Sequence, residues 1–325
     1  MGALQPGTTL GGRYVLRSLL AVGGMGEVWR GADSELDREV AVKVLKDGAA
    51  KNDTFLRRFR NEAKNAAGLR HPNIAQVYDY GEVDGTPYLV MELVEGEPLS
   101  TILERERILD ERRLVTILRH TCNGVQAAHD AGVMHRDVKP GNLLVQEHDL
   151  VKVTDFGVSR GTGQTTLTAT GMVMGTAQYL APELALGKAA TPASDLYALG
   201  IIAYESVVGR RPFTAATAVD IAIAQVNDVV PPLPASVSPQ MAKVIMNLLE
   251  KNPRKRFKSA AELERHLANF SAPAPSLDPL AQAPSAQAPD TLVPGSEPQA
   301  PTRAMPPSIA PRSYRPHPDR APGQR

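Results

Sequence analysis

From Arg13 to Lys46 apolar and polar residues alternate in short runs broken by Gly, Asp and Ser. RYVLRSLL, EVWRGADS and REVAVKVLK each predict a strand, and in the last Val40, Val42 and Val44 share one face. The period then changes. Over about 53–68, Leu56, Phe59, Ala63 and Ala66 recur at helical spacing, and the run stops near Gly68 and Pro72. Two more strand-like runs, IAQVYDY and PYLVMEL, precede Gly96. Beyond them helical periodicity dominates, over 110–131, 192–209, 217–226, 239–250 and 259–269. The pattern predicts an α+β, two-lobed architecture: a small antiparallel sheet lobe with one long helix, then a larger helical lobe.

The domain boundaries follow from where this patterning begins and ends. Residues 1–12 form an N-terminal extension, 13–94 the small lobe and 95–270 the large lobe. From Ser271 to Arg325 the chain carries 14 of its 27 prolines in 55 residues, with many Ala, Ser and Gln. Such a tail buries too little apolar surface to offset its ordering entropy and reads as a disordered linker.

Composition narrows the function classes. The 325 residues carry 36 Lys and Arg against 35 Asp and Glu, a net charge of +1, which is too weak a field for a general nucleic-acid binder. The single cysteine, Cys122, can form neither an internal disulfide nor a thiolate metal site, and a cytoplasmic location is the default. The N-terminus lacks the charged start and apolar run of a signal peptide. LYALGIIAYESVV, the most apolar stretch, is interrupted by Glu205 and is too short to span a bilayer.

Candidate chemistry sits at the seams between elements. In LLAVGGMGEVWRG, Gly23, Gly24 and Gly26 join two strands, where a backbone without Cβ atoms can fold closely over phosphates. Lys43 ends VAVK and faces opposite to the valines, out of the small lobe's core. Glu62 lies on the helix face shared with Phe59 and Ala66. A carboxylate aimed inward needs a partner, and Lys43 is the expected one. HRDVKPGN supplies His135, Arg136, Asp137, Lys139 and Asn142, and DFG follows at Asp155, Phe156 and Gly157. Asp155 and the amide oxygen of Asn142 offer the oxygen ligands that a hard cation such as Mg²⁺ prefers, with Mn²⁺ as an alternative. Asp137 is then free to accept a hydroxyl proton, and Lys139 to neutralise a transferred phosphoryl group.

In order and spacing these motifs resemble a Hanks-type (eukaryotic-like) Ser/Thr protein kinase, over about Gly12 to Phe270, together with GTAQYLAPE, SDLYALG and NPRKR. GGMGEV and GTAQYLAPE look most like bacterial members, and Lys139 with Thr176 resembles the Ser/Thr rather than the Tyr class. The resemblance implies a bilobal kinase fold that binds ATP between its lobes and phosphorylates protein substrates. It implies an adenine site of Leu20, Val28, Ala41 and Leu144, backbone contacts from Glu92 and Val94, and Met91 as gatekeeper. It further implies a stack of Phe156, His135, Val77 and Ala66, a buried Glu183–Arg256 pair, and Asp195 as anchor of the catalytic loop. Ala21 replaces the first glycine of the family's loop, at a cost in ATP affinity at most, since Gly23 and Gly26 are kept. The competing reading is a nucleotide-binding pseudokinase scaffold, which would more tellingly lose Lys43, Asp137 or Asp155.

Regulation is implied as well. The loop between Asp155 and Glu183 carries Thr162, Thr165, Thr166, Thr168, Thr170 and Thr176. Thr168 and Thr170 match the family's autophosphorylated positions, and a phosphate there could pair with Arg136. Related bacterial kinases also form a back-to-back homodimer through the small lobe. By resemblance, Arg13 would pair with Asp79 across subunits, with Leu36 packing beside them, twice per dimer.

Overall fold

The computed structural model describes residues 4–23, 26–45, 53–156 and 177–270, without the side chains of 53–55, 57, 58, 61 and 62. Six antiparallel strands form the first sheet: β1 (Thr9–Leu10), β2 (Tyr14–Val22), β3 (Gly26–Asp33), β4 (Arg38–Leu45), β5 (Val77–Val83) and β6 (Thr86–Glu92). Their order across the sheet is β1-β2-β3-β4-β6-β5. The helix α1 (Asp53–Ala67) connects β4 to the β5–β6 hairpin. The three strands and the helix expected from periodicity are all present, and β1 adds two residues from the 1–12 extension.

Both faces of this sheet are covered. Val40, Val42 and Val44 pack with Leu10, Tyr14, Leu16, Trp29, Tyr88 and Val90 on one side. On the other, Leu45 and Leu89 meet Phe59 and Ala63 of α1. Lys43 does face away from the valines, yet its side chain is only 13% exposed because that face is covered too. Gly26 has a role that phosphate approach does not require. It stands opposite Leu45 in the β3–β4 register, and a Cβ there would run into the carbonyl oxygen of Val44. Sheet packing alone therefore demands glycine at this position.

A second, three-stranded sheet, β7 (Glu97–Pro98), β8 (Leu143–Val145) and β9 (Val151–Val153), follows, with α2 (Leu99–Glu106) after β7. The large lobe is built from α3 (Glu111–Asp130), α4 (Pro182–Ala185), α5 (Pro192–Val208), α6 (Ala218–Asn227), α7 (Pro239–Leu248) and α8 (Ala260–Ala268). Their starts are written in the sequence. Asp110 caps α3, Thr217 caps α6, Ser238 caps α7 and Ser259 caps α8, each accepting from a backbone N–H of the first turn. At α5, Thr191 and Ser194 form a reciprocal capping box with Pro192 in the first turn. Gly209 ends the same helix in the left-handed region, at φ 77°.

The apolar LYALGIIAYESVV run is the body of α5, whose residues from Ser194 to Tyr204 are all buried. A helix apolar on every side belongs at the centre of a lobe. Among the described residues no helix is long and apolar enough to cross a membrane.

Candidate active site

The loop between α3 and β8 is held from below by one buried carboxylate. Asp195, in the first turn of α5, accepts the backbone N–H groups of His135 at 3.0 Å and Arg136 at 2.9 Å. His129 Nε2 lies 2.7 Å from the same carboxylate. Burial pushes the Asp195 carboxyl up, but His129 and the loop's N–H groups outweigh it and keep the acid below its usual range. The anchor expected of Asp195 is thus in place. His129, its second partner, went unnoticed in the sequence. The only signal was a histidine on the apolar face of α3, which packing alone could explain.

The clamp sets the backbone of the loop. Arg136 adopts φ 68°, in the left-handed region, a conformation that costs a non-glycine residue about 1–3 kcal/mol. His135 then turns inward. Its Nδ1 accepts from the Asp137 N–H at 3.3 Å, so the ring proton belongs on Nε2, which faces the Thr154 carbonyl at 2.9 Å. Its ring lies 4.6 Å from that of Phe156. Ala66 and Phe156 belong to one large buried cluster, against which Val77 packs.

Two ion pairs stand on this frame. Lys139 Nζ is 2.7 Å from Asp137 Oδ2, and Lys43 Nζ is 2.8 Å from Asp155 Oδ1. The second pair was not among the expectations. Asp155 is one partner of Lys43, and the expected one, Glu62, has its side chain outside the described residues. Asp155 also adopts a left-handed backbone, at φ 60°, and its side chain is 34% exposed. Burial pushes its carboxyl up, but Lys43 more than reverses this and holds it anionic.

Asn142 completes the group. Its Nδ2 donates to the Asp137 carbonyl at 2.9 Å, while its own carbonyl accepts the Thr154 N–H at 2.9 Å. The amide nitrogen is spent, so the amide oxygen is the atom left for a cation. These donors fit a divalent cation shared with phosphates. Asp155 already receives a cationic group, the Lys43 ammonium, and both candidate ligands are oxygens. Among the described residues no group of three or more His, Cys, Asp or Glu side chains could hold a metal ion.

The residues expected around adenine fall on adjoining strands. Val28 is the register partner of Lys43, and Ala41 that of Met91. Leu20 lies exposed near the end of β2, Leu144 lies half-buried on β8, and Val94 follows β6. The backbone N–H of Glu92 is committed to the Gln76 carbonyl at 2.8 Å, which leaves its carbonyl as the group able to meet a ligand. Its side chain is an unexpected tie to the second sheet, 2.8 Å from Lys152. Gly23 closes the glycine hairpin by donating to the Gly26 carbonyl at 2.8 Å. Gly24 lies outside the described residues, as do Gly157, Thr168, Thr170 and the rest of 157–176.

The buried pair between Arg256 and Glu183 is present, at 2.8 Å. Arg13 and Asp79, expected to meet across subunits, are each engaged within the chain. Arg13 forks onto Asp33 at 2.6 and 2.7 Å, and Asp79 accepts the Tyr14 hydroxyl at 2.6 Å. Leu36 is exposed, at 59%.

The family model described as "Protein kinase domain" matches residues 14–267. The chain belongs to this family. The resemblance drawn from HRDVKPGN, DFG and the glycine hairpin is borne out. This kinase domain is 49% identical over 258 residues to "Serine/threonine-protein kinase PknA" of Mycobacterium tuberculosis, covering 78% of this chain and 60% of that protein. It is 42% identical over 267 residues to "Serine/threonine-protein kinase PknB" of Mycolicibacterium smegmatis, covering 79% of this chain and 43% of that one. The chain therefore spans about 60% or less of the length of these curated relatives. Among solved structures, the Mycobacterium tuberculosis PknI kinase domain superimposes with a TM-score of 0.64 at 28% identity, covering 82% of this chain and 99% of that one.

Proposed function

We propose that this chain is a serine/threonine protein kinase that transfers the γ-phosphoryl group of ATP to protein Ser and Thr hydroxyls. The observation that carries the reading is the pairing of Asp137 with Lys139 on a loop clamped by Asp195. Asp137 accepts the proton of the acceptor hydroxyl as its oxygen bonds to the γ-phosphorus. The bond from that phosphorus to the β,γ-bridging oxygen breaks, and ADP leaves with the electron pair. Lys139, already beside Asp137, screens the charge on the transferred group. Lys43, with Glu62 behind it, orients the phosphates. Asp155 and Asn142 hold Mg²⁺, or Mn²⁺ in its place, which when bound neutralises phosphate charge. Leu20, Val28, Ala41, Met91, Glu92, Val94 and Leu144 enclose adenine, under the hairpin of Gly23, Gly24 and Gly26.

The working unit is the two-lobed domain of 13–94 and 95–270, with 271–325 as a linker, and its nucleotide substrate assigns it to the cytoplasm. Phosphorylation of Thr168 and Thr170 activates it by giving Arg136 an anionic partner that orders the loop. A back-to-back dimer through Arg13, Leu36 and Asp79 supplies the first phosphate, since a neighbouring copy raises the effective concentration of acceptor. Such a dimer requires Arg13 to exchange Asp33 for Asp79 of the other copy.

Incubation with labelled ATP, Mg²⁺ and myelin basic protein should leave label on serine and threonine and none on tyrosine. Thr168→Ala/Thr170→Ala should lower that transfer by about tenfold or more, by analogy with loops ordered through one to three charge-assisted hydrogen bonds. The rate of autophosphorylation should rise faster than linearly with enzyme concentration and slow in Asp79→Ala. Absence of acceptor labelling contradicts the function. Full activity of the double alanine variant contradicts the activation mechanism, and strictly first-order autophosphorylation contradicts the dimer.

A further inference from the structure

Gln225, near the end of α6, is fully buried. A buried amide must place two N–H donors and one oxygen acceptor, and here the amide nitrogen faces one turn while the oxygen faces a neighbouring helix. Its Oε1 accepts the Tyr197 hydroxyl of α5 at 2.7 Å. Its Nε2 donates to the backbone carbonyl of Gln178 at 2.9 Å and lies 3.5 Å from that of Ala177. Behind it, Lys251 Nζ donates to the backbone carbonyl of Gln225 at 2.7 Å and sits 4.2 Å from the centre of the Phe213 ring.

The turn Ala177–Tyr179 is held from its other side as well. The Tyr179 hydroxyl donates to Glu205 at 2.6 Å, and the Arg211 guanidinium donates to the Gln178 side chain. Gln178 and Tyr179 line a cavity of about 390 Å³ that also touches Lys139, Gly141 and Ser100. One wall of that cavity is thus the turn, and another is the loop that bears Asp137 and Lys139. Neither Gln225 nor Lys251 has a part in the phosphoryl-transfer chemistry.

We propose that Gln225, backed by Lys251, is a positioning residue for the acceptor: it fixes the Ala177–Tyr179 turn as the preformed wall of the cavity beside Lys139. The inference rests on the kinase reading above. An acceptor segment that docks on a fixed wall avoids the ordering cost that a loose one would impose. An apolar side chain of similar length at 225 leaves the Tyr197 hydroxyl and the Gln178 carbonyl buried without this partner, so the turn relaxes. Lys43, Asp155 and Asn142 lie on other segments, so nucleotide binding is untouched.

The test is steady-state kinetics of the full chain with myelin basic protein as acceptor. Gln225→Met should raise the acceptor KM about tenfold, the scale of one or two lost buried hydrogen bonds, and leave the ATP KM within about twofold. Lys251→Met, one step removed, should shift the acceptor KM in the same direction by about threefold. It decides the matter alone if Gln225→Met fails to fold. An unchanged acceptor KM, or equal rises in both constants, overturns the inference, because a residue that only fills the lobe would not separate them. A wild-type chain that transfers no phosphoryl group overturns the kinase reading instead, and this inference with it.

Discussion

Asp137→Asn should reduce phosphoryl transfer by about 10³-fold, within the range that general acid–base catalysis contributes. The substitution keeps the size of the side chain and leaves the Asp195 clamp intact, because the hydrogen bonds to the clamp come from the backbone of His135 and Arg136. What is lost is the carboxylate that takes the hydroxyl proton, together with the negative partner of Lys139 at 2.7 Å. The ATP KM should change little, because the groups proposed for the phosphates and the cation, Lys43, Asp155 and Asn142, are untouched. Thermal stability should stay near wild type, which separates lost chemistry from lost folding. A variant that retains more than about a tenth of wild-type turnover would remove Asp137 from its role as proton acceptor.

The second large effect is on stability. Arg256 is fully buried and forks onto Glu183 at 2.8 and 2.9 Å, while also donating to the carbonyls of Ala193 at 2.7 Å and Glu250 at 2.8 Å. Arg256→Met removes one partner of a buried pair and strands the other, at a cost of about 3–5 kcal/mol. For a domain of this size that is a melting midpoint lower by on the order of 10 °C. Glu183→Gln added to Arg256→Met should recover part of the loss by removing the stranded charge. Burial pushes the Glu183 carboxyl up, and Arg256 overrides this to hold it below the usual range. Because the folded value is the lower one, the stabilisation is complete above the unfolded carboxyl's pKa. It is lost as pH falls through the folded value. Wild type should therefore lose stability on acidification more steeply than the double variant. Equal melting midpoints for Arg256→Met and wild type would show the pair to be dispensable.

Much of this molecule is legible in its sequence because each long element repeats one signal. Val40, Val42 and Val44 mark β4, and the helix starts follow from Asp110, Thr191, Thr217, Ser238 and Ser259. Elements of two to four residues, β1, β7, β8, β9 and α4, are too short to show any period, and α2 spans barely two turns. At the site, the residues expected to touch ligand stand out in the sequence because their chemistry demands particular side chains in a fixed order. Their supports do not. His129 beneath Asp195, Lys152 on Glu92 and Gln225 beneath Gln178 meet their partners only through tertiary packing, across 66, 60 and 47 positions of sequence. Lys43 shows the same limit from the other side. Its pairing with Asp155, 112 positions away, carries no signal in the local pattern around VAVK.

The central claim, that Asp137, Lys43 and Asp155 form a working phosphotransfer site, is tested most directly by intact-mass spectrometry of the full chain. The purified and dephosphorylated protein is incubated with Mg²⁺ and ATP, and its mass is followed over time. The account predicts successive gains of one phosphoryl mass, mapped to Thr168 and Thr170, and no gain in Asp137→Asn. A wild-type mass that never changes, or equal gains in wild type and Asp137→Asn, would contradict it.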